Sequence, residues 1–268
     1  MTKIKSKCVL ITGGASGIGK LMGRKVLEKG GKLIIWDFDA TKLKETQREL
    51  EALGEVHAFE IDITETEKVK ELAVNNQREI GPVDILINNA GIVFGGYFHE
   101  SNSEAIDKTM AVNALAPMHL TQQFLPEMIS RKFGHICNIA SSAGLVSNPK
   151  MAIYAGSKWA CTGWSDSLRL EMKDLKTGVG VTTVTPYYIN TGMFDGVKSL
   201  IPILDKDKVA SKIIRAIEKD RIFLSMPWSM RFVRFSQGLF PIWFYDWFVG
   251  RLIGVYKTMD EFKGRSTN

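Results

Sequence analysis

Short apolar runs alternate with longer helical patterns through the first two thirds of the chain, and this alternation most constrains the fold. Runs rich in Val, Ile and Leu indicate strands that are covered on both faces, as in a parallel sheet. Alternation at this spacing favours βαβ units and an α/β, three-layer, doubly wound fold. The predicted strands are 7–12, 32–37, 56–61, 83–88, 135–140 and 180–185, and the predicted helices are 17–29, 40–53, 65–80, 110–131 and 152–175.

No internal repeat, low-complexity tract or Pro/Gly/Ser linker marks a second domain, so we expect one domain over 1–268. The composition is 45% hydrophobic and 24% charged, which is enough to bury a full core. The three cysteines lack metal-ligand spacing, and Cys8 and Cys137 lie in apolar runs. We expect buried thiols in a reducing compartment and, since no signal peptide fits, a cytoplasmic location.

A glycine-rich motif, TGGASGIG over residues 12–19, follows the first predicted strand and opens a helix. Gly13, Gly17 and Gly19 would allow a tight turn and a close backbone approach to a pyrophosphate. The helix N-terminus adds free N–H groups and a favourable dipole. The alternative is a strand-to-helix turn without a ligand, but the strand-turn-helix context favours a dinucleotide.

Asp37 ends the second predicted strand, 24 residues after Gly13. An acidic residue at this place accepts hydrogen bonds from ribose hydroxyls and repels a 2′-phosphate. No Arg or Lys lies inside the glycine loop or immediately after Asp37. The sequence therefore favours NAD over NADP. The alternative role is a helix N-cap, for which Asp39 is the better candidate.

Tyr154 and Lys158 are four residues apart in a predicted helix and would share one face. A phenol titrates near ~10, too high for a general base at neutral pH. An ammonium about 4 Å away contributes about 4 kcal/mol at a dielectric of about 20, which could lower the phenol pKa by up to about three. The positive nicotinamide would act in the same direction, so the lysine suffices without a histidine.

The remaining motifs exclude other chemistry. The four histidines, at positions 57, 99, 119 and 135, show no pairing that suggests a metal site or a catalytic triad. No Gly-x-Ser-x-Gly elbow indicates a serine hydrolase. A Tyr-x-x-x-Lys pair alone would be chance in most proteins, so its meaning depends on the motifs around it.

Together, these motifs resemble the short-chain dehydrogenase/reductase family in order and spacing over roughly residues 5 to 195. The resemblance implies a Rossmann-type sheet of about seven strands and an NAD(P)-dependent oxidoreductase that acts on CH–OH groups. The motifs that carry it are Gly13-x-x-x-Gly17-x-Gly19, Asn88-Asn89-Ala90-Gly91, Asn113, Ser141 and Tyr154-x-x-x-Lys158.

The resemblance also implies a role for each catalytic residue. Tyr154 is the acid/base, and Lys158 binds the nicotinamide ribose. Ser141 orients the substrate oxygen, and Asn113 holds a proton-relay water. Ser141 lies thirteen residues before the tyrosine and is the matching serine, ahead of its neighbour Ser142.

Further cofactor contacts are implied in the same way. Asp62 and Ile63 resemble the pair that contacts adenine, and Asn89 and its neighbours form the floor under the adenosine and ribose. The chain departs from the family at Tyr187, which replaces the glycine that usually follows the proline. The expected cofactor contacts are Gly13, Ser16, Gly17, Ile18, Gly19, Asp37, Asp62, Ile63, Asn89, Ala90, Gly91, Tyr154, Lys158, Pro186, Ile189 and Thr191.

Within the family, the chain resembles the branch of retinol and 17β-hydroxysteroid (type 11-like) dehydrogenases. The features that carry this resemblance are the strand LIIWD, Tyr187 in place of the usual glycine after the sixth strand, and the terminal Met259-Asp260-x-Phe262. Members of that branch often carry an N-terminal membrane anchor, which this sequence does not show. The implied substrate is a hydrophobic alcohol or carbonyl: lipid-like, retinoid, steroid or long-chain. Residues 192–268 would form the substrate-binding segment with an aromatic and basic C-terminal extension.

This extension carries Trp228, Trp243 and Trp247 among basic residues, and 205–268 holds five of the six net positive charges. Asp246 and Arg251 argue against a membrane span. Aromatic and basic residues together are typical of an interfacial helix, but equally of a pocket lid or a subunit interface. We therefore expect a homodimer or homotetramer, with peripheral membrane contact as an alternative role. No recognition motif supports nucleic-acid binding.

Two classes of function follow. The first is a dehydrogenase that oxidises a hydrophobic alcohol with NAD. The second is a catalytically retired dehydrogenase scaffold that binds lipid or membrane through its C-terminal segment. The presence of Asn113, Ser141, Tyr154 and Lys158 together favours the enzyme, because a binding module needs none of these four.

Overall fold

The computed structural model of the chain describes residues 2–252 and 254–264. The two ends of the expected domain over 1–268, and residues 253 and 265–268 of the expected C-terminal segment, lie outside the described residues. Within the described residues, seven strands form one parallel sheet. The predicted α/β, doubly wound fold is confirmed.

The strand order in the sheet is β3-β2-β1-β4-β5-β6-β7, so the direction of winding reverses between β1 and β4. In doubly wound sheets, ligands bind in the crevice at such a reversal, outside the carboxyl ends of the strands. The strands are β1 (Cys8–Thr12), β2 (Lys32–Asp37), β3 (Val56–Glu60), β4 (Ile85–Asn88), β5 (Gly134–Ile139), β6 (Val179–Pro186) and β7 (Phe223–Met226).

Helices cover both faces of the sheet. The predicted helix over 110–131 instead begins at Ser103, because Asn102 caps it by accepting a hydrogen bond from the Ala105 N–H at 2.8 Å. A π-helical turn, Ala111–Leu115, divides that long helix in two. The α-helices are α1 (Gly17–Glu28), α2 (Ala40–Glu51), α3 (Thr66–Glu79), α4 (Ser103–Met110), α5 (Ala116–Ser130), α6 (Ala152–Asp174), α7 (Lys206–Glu218), α8 (Val233–Leu239) and α9 (Ile242–Tyr245).

Two apolar clusters, one on each face of the sheet, form the core. In β1, Val9 and Ile11 join the cluster against α1, α2 and α7, while Leu10 joins the cluster against α3, α5 and α6. This alternation follows from the two-residue period of a strand, and continuous apolar runs are what a sheet covered on both faces requires. Cys8 and Cys137 are buried free thiols, as expected from the sequence.

The C-terminal segment after β7 is a series of short helices rather than one long one. It comprises α8, α9, a π-helical stretch Asp246–Leu252 and short 3-10 turns. Among the described residues, no helix has both the length and the apolar character needed to cross a bilayer.

Gly144 lies in the turn after β5, at the point where this turn packs against helix α6. A Cβ at this position would lie 2.5 Å from the carbonyl oxygen of Lys158 and 2.6 Å from Oγ1 of Thr162. Such distances require the turn or the helix to move.

We predict that Gly144→Ala lowers the melting temperature by roughly 2–12 °C, because overpacking costs about 1–3 kcal/mol and each kcal/mol shifts a chain of this size by about 2–4 °C. Scanning calorimetry measures the shift. Gly163→Ala is the matched control, since a Cβ at this exposed position on α6 meets nothing within 4 Å and alanine favours the helix. Equal melting temperatures for the two variants would contradict the packing argument.

Candidate active site

A cleft of about 320 Å³ lies at the carboxyl ends of the strands and brings together most of the residues singled out from the sequence. Loops that follow six of the seven strands contribute to its wall. We refer to it as the large cleft. The predicted residues that line it are Gly13, Ser16, Gly17, Ile18, Asp37, Asp62, Ile63, Asn89, Ala90, Gly91, Ser141, Tyr154, Lys158, Pro186, Ile189 and Thr191.

Two glycines of the loop, Gly13 and Gly19, lie where a side chain would not fit. Gly13 has a φ of +63°, and a Cβ there would lie 2.9 Å from Cα of Ala90. Gly19 lies behind the cleft wall, where a Cβ would approach the carbonyl oxygen of Gly13 to 2.2 Å. Asn89 reinforces the loop by donating from Nδ2 to the carbonyl oxygens of Thr12 and Gly13, at 2.9 and 3.0 Å. Four residues of the loop, Gly13, Ser16, Gly17 and Ile18, line the cleft.

Asp37, at the end of β2, is buried and anchored by backbone groups. Its Oδ2 accepts from the Ala15 N–H at 2.9 Å, and its Oδ1 accepts from the Asp39 N–H at 3.2 Å. Since a carboxylate has about four lone-pair sites, two such bonds leave capacity for ligand hydroxyls. Asp39 is the N-cap of α2, the role for which the sequence made it a better candidate than Asp37. Its side chain accepts a hydrogen bond from the Lys42 N–H at 3.0 Å.

Tyr154 and Lys158 lie together on α6, each only 4% exposed. The Lys158 Nζ is 5.7 Å from the centroid of the Tyr154 ring and donates to the carbonyl oxygen of Ile139 at 3.0 Å. Ser141 follows β5, and its Oγ accepts from the Ala143 N–H at 3.1 Å. The three side chains thus meet where β5 and α6 flank the large cleft.

The pKa of Tyr154 moves in the opposite direction to that expected from the sequence. Burial raises the pKa of the phenol, and a hydrogen bond with Ser141 offsets this only in part. Burial likewise lowers the pKa of Lys158. The expectation was wrong for the protein alone because it counted the attraction of the ammonium but not the cost of removing both charged forms from water.

Asn113 lies behind the large cleft rather than in its wall, in the π-helical turn between α4 and α5. Its Oδ1 accepts from the Ile92 N–H at 2.9 Å, and its Nδ2 donates to the Ile92 carbonyl at 2.9 Å and to Ser157 Oγ at 3.0 Å. Both amide hydrogens are therefore used within the protein, and the side chain joins the loop after β4 to α6. The proton-relay role of Asn113 stays a prediction.

A small chamber of about 20 Å³ adjoins Ser141 and has room for about one water-sized group. We call it the side chamber. Tyr187, the departure from the family pattern, lines both this chamber and the large cleft. Its ring is buried, and its hydroxyl forms a 2.8 Å hydrogen bond with Ser199. The other lining residues are Ser142, Ala143, Val146, Asn148, Met151, Tyr188, Phe194 and Val255.

Several residues of the cleft wall were missed from the sequence. Phe38, directly after Asp37, is 72% exposed at the rim, and Lys42 lies one helical turn further on. Lys108 and Val112 reach the cleft from the α4 side. The place of Lys42 could have been inferred, since the first turn of a helix that follows a strand lies at the same edge of the sheet as the end of that strand.

Comparisons with known proteins identify the family of the chain. The short chain dehydrogenase family profile matches residues 7–200. The chain is 35% identical over 266 residues to human epidermal retinol dehydrogenase 2, covering 97% of this chain and 86% of the relative. It is 34% identical over 241 residues to human estradiol 17-beta-dehydrogenase 11, covering 89% and 80%.

A solved structure gives the same result. A short chain dehydrogenase/reductase from Burkholderia phymatum, crystallised in complex with NAD, is 27% identical and superposes with a TM-score of 0.82. The match covers 89% of this chain and 95% of that chain. The chain therefore belongs to the short chain dehydrogenase family of NAD(P)-dependent oxidoreductases, in the branch that contains the retinol and estradiol 17-beta dehydrogenases.

Proposed function

We propose that the protein transfers a hydride between NAD and a hydrophobic alcohol or carbonyl compound. The observation that carries this proposal is the meeting of Ser141, Tyr154 and Lys158 in the wall of the large cleft, which the glycine loop also lines. The complex of the Burkholderia phymatum relative with NAD supports a dinucleotide as the cofactor. The alternative of a retired scaffold gains no support from relatives that are named as dehydrogenases.

The residues of the cleft fit a dinucleotide. The tight approach of Gly13 to Ala90 leaves backbone where a pyrophosphate needs close contact, and Asp37 retains acceptor capacity for ribose hydroxyls. Asp62 and Ile63 would hold the adenine end, while Ile189 and Thr191 would hold the nicotinamide end. When bound, the dinucleotide supplies the hydride-accepting carbon and, in its oxidised form, a positive charge.

In the direction of oxidation, two groups leave the substrate carbinol. A bound dinucleotide would accept the hydride from carbon, and Tyr154 Oη, once deprotonated to the phenolate beside the positive charge of the oxidised cofactor, would accept the hydroxyl proton. Ser141 orients the substrate oxygen toward the phenol, and Lys158 holds the nicotinamide ribose. Because burial raises the pKa of Tyr154, the phenol is neutral in the protein alone and is suited to donate a proton in the reverse reaction.

We predict that Tyr154→Phe lowers kcat at least about 100-fold, since acid/base catalysis contributes about 10²–10⁴, while the Kd for NAD changes less than about threefold. Turnover of a panel of retinoid, steroid and long-chain alcohols and calorimetric NAD titration measure the two effects. Tyr97→Phe removes the same hydroxyl from an exposed tyrosine and should leave both unchanged. Retention of most of the wild-type rate in Tyr154→Phe would overturn the mechanism.

We also infer a preference for NAD over NADP that depends on Asp37, because its carboxylate would repel a 2′-phosphate. Asp37→Ser should shift the ratio of kcat/KM for the two cofactors toward NADP by about tenfold or more. Asp62→Ser removes the same charge at the adenine end and should weaken both cofactors alike. Wild-type efficiency that is equal or better with NADP would contradict this assignment.

The hydrophobic character of the proposed substrate is supported by apolar side chains beside Ser141, among them Val146, Met151 and Phe194, and by exposed aromatic side chains on the segment after β7. We define the aromatic face as Trp228, Phe232, Phe235, Ile242, Trp243 and Trp247, all at least half exposed. The segment that carries it packs against the site: Met230 is buried in the same cluster as Tyr154, and Gln237 donates to the carbonyl oxygen of Leu145 at 2.9 Å.

We propose peripheral contact of the aromatic face with a membrane. Burial of each ring contributes about 1.5–3 kcal/mol, and basic residues near an anionic surface add about 1 kcal/mol each. Arg231, Arg234 and Arg251 are exposed in the same segment. These contributions would give reversible attachment without a spanning helix.

Cosedimentation with vesicles that contain anionic lipid should therefore detect the wild type, and Trp243→Ala/Trp247→Ala should reduce the bound fraction at least about threefold. Trp159→Ala, an exposed tryptophan on α6 outside the face, is the matched control. If the double mutant binds vesicles as the wild type does, the membrane role is wrong. Light scattering of the same variants tests the alternative that the aromatic face is a subunit interface. If it forms the interface of the proposed homodimer or homotetramer, Trp243→Ala/Trp247→Ala should dissociate the oligomer.

A further inference from the structure

The large cleft has a basic side chain, Lys42, close to Asp37 and outside the glycine loop. Lys42, in the first turn of α2, lines the same wall as Asp37 and Asp39. The three residues form one corner, because the Asp39 N–H donates to Asp37 Oδ1 at 3.2 Å and the Lys42 N–H donates to Asp39 Oδ1 at 3.0 Å. An ammonium at this corner is the kind of group that a 2′-phosphate would pair with.

The Lys42 ammonium is already paired with the Asp39 carboxylate. Its Nζ donates to Asp39 Oδ2, and this bond lowers the pKa of Asp39. The pair has no net charge, so it offers little attraction to a further anion. Asp37 has no ion-pair partner among the described residues, and it leaves the corner with one net negative charge.

We propose that Asp39 is a second determinant of cofactor specificity, acting by neutralising Lys42, and that freeing Lys42 makes this corner accept a 2′-phosphate. The inference rests on the proposed function, in which Asp37 meets the adenosine ribose. It separates two contributions: Asp37 repels the phosphate, whereas Asp39 withholds the cation that would bind it. Removing Asp37 alone therefore gives only part of the change.

The experiment measures binding of two fragments that lack nicotinamide, ADP-ribose and 2′-phospho-ADP-ribose, by titration calorimetry, so no turnover is needed. The readout is the ratio of the Kd for the phosphorylated fragment to the Kd for the other. Asp37→Ser is the starting variant, to which Asp39→Asn and then Lys42→Gln are added. Asparagine caps a helix as well as aspartate does, so Asp39→Asn removes the charge and keeps α2.

In the Asp37→Ser background, we expect Asp39→Asn to lower the ratio of the Kd for 2′-phospho-ADP-ribose to the Kd for ADP-ribose by a further factor of roughly three to ten. This is the range for a charged hydrogen bond at a partly exposed site. Adding Lys42→Gln should restore the ratio of Asp37→Ser. Lys44→Gln is the matched control: it removes the same charge from an exposed position of α2 that does not line the cleft. It should change the ratio less than about twofold.

Two results would overturn the inference: a ratio that Asp39→Asn does not change, or an effect of Lys42→Gln no larger than that of Lys44→Gln. Binding of ADP-ribose by each variant reports that its cleft is folded. Absence of ADP-ribose binding in the wild type at millimolar concentration is a different result, because it would overturn the proposed function itself.

Discussion

The carboxyl ends of the parallel strands meet at one edge of the sheet, and the loops that leave this edge must pack against each other almost without side-chain bulk. A Cβ at Gly19 would lie 2.2 Å from the Gly13 carbonyl, and one at Gly91 would lie 3.2 Å from Asn113 Oδ1 and 3.5 Å from Lys158 Nζ. The absence of a side chain at these positions has two consequences. It lets the loops close on each other, and at Gly13, Gly17 and Gly91, which line the cleft, no side chain would stand between the backbone and the phosphate of the proposed cofactor.

The same packing determines the protonation of the site. Tyr154 and Lys158 are almost completely buried, and burial favours the neutral form of each: it raises the pKa of the phenol and lowers that of the ammonium. Among the described residues, no carboxylate forms an ion pair with Lys158. Its field is therefore not cancelled by a fixed anion, and a positive nicotinamide beside it would act on the phenol through the same low-polarity surroundings. Burial thus favours the neutral phenol in the protein alone, and the proposed oxidised cofactor beside it would favour the phenolate that acts as a base.

The sequence predicted six of the strands and most of the cleft wall, because apolar period, glycine spacing and strand ends are local signals. It did not predict β7, nor the π-helical turn that carries Asn113. Lys42 was missed because only the immediate neighbours of Asp37 were considered. The direction of the Tyr154 pKa was wrong because burial, unlike spacing, is a property of the packed chain. The features that the sequence did not predict depend on tertiary packing.

The C-terminal end of the described chain shows this most clearly. Thr258, buried, meets the hydroxyl of Tyr188 at 3.0 Å and Asn148 Nδ2 at 3.1 Å, two residues that line the side chamber. The terminal pattern Met259-Asp260-x-Phe262 thereby acquires a physical meaning: Met259 is buried, Asp260 pairs with Lys150 at 2.8 Å, and Phe262 packs 6.3 Å from Phe194. These contacts span up to 110 residues of sequence. The wall of the side chamber therefore depends on residues 258–262, so substitutions there can reshape this chamber beside Ser141 while the glycine loop stays as it is.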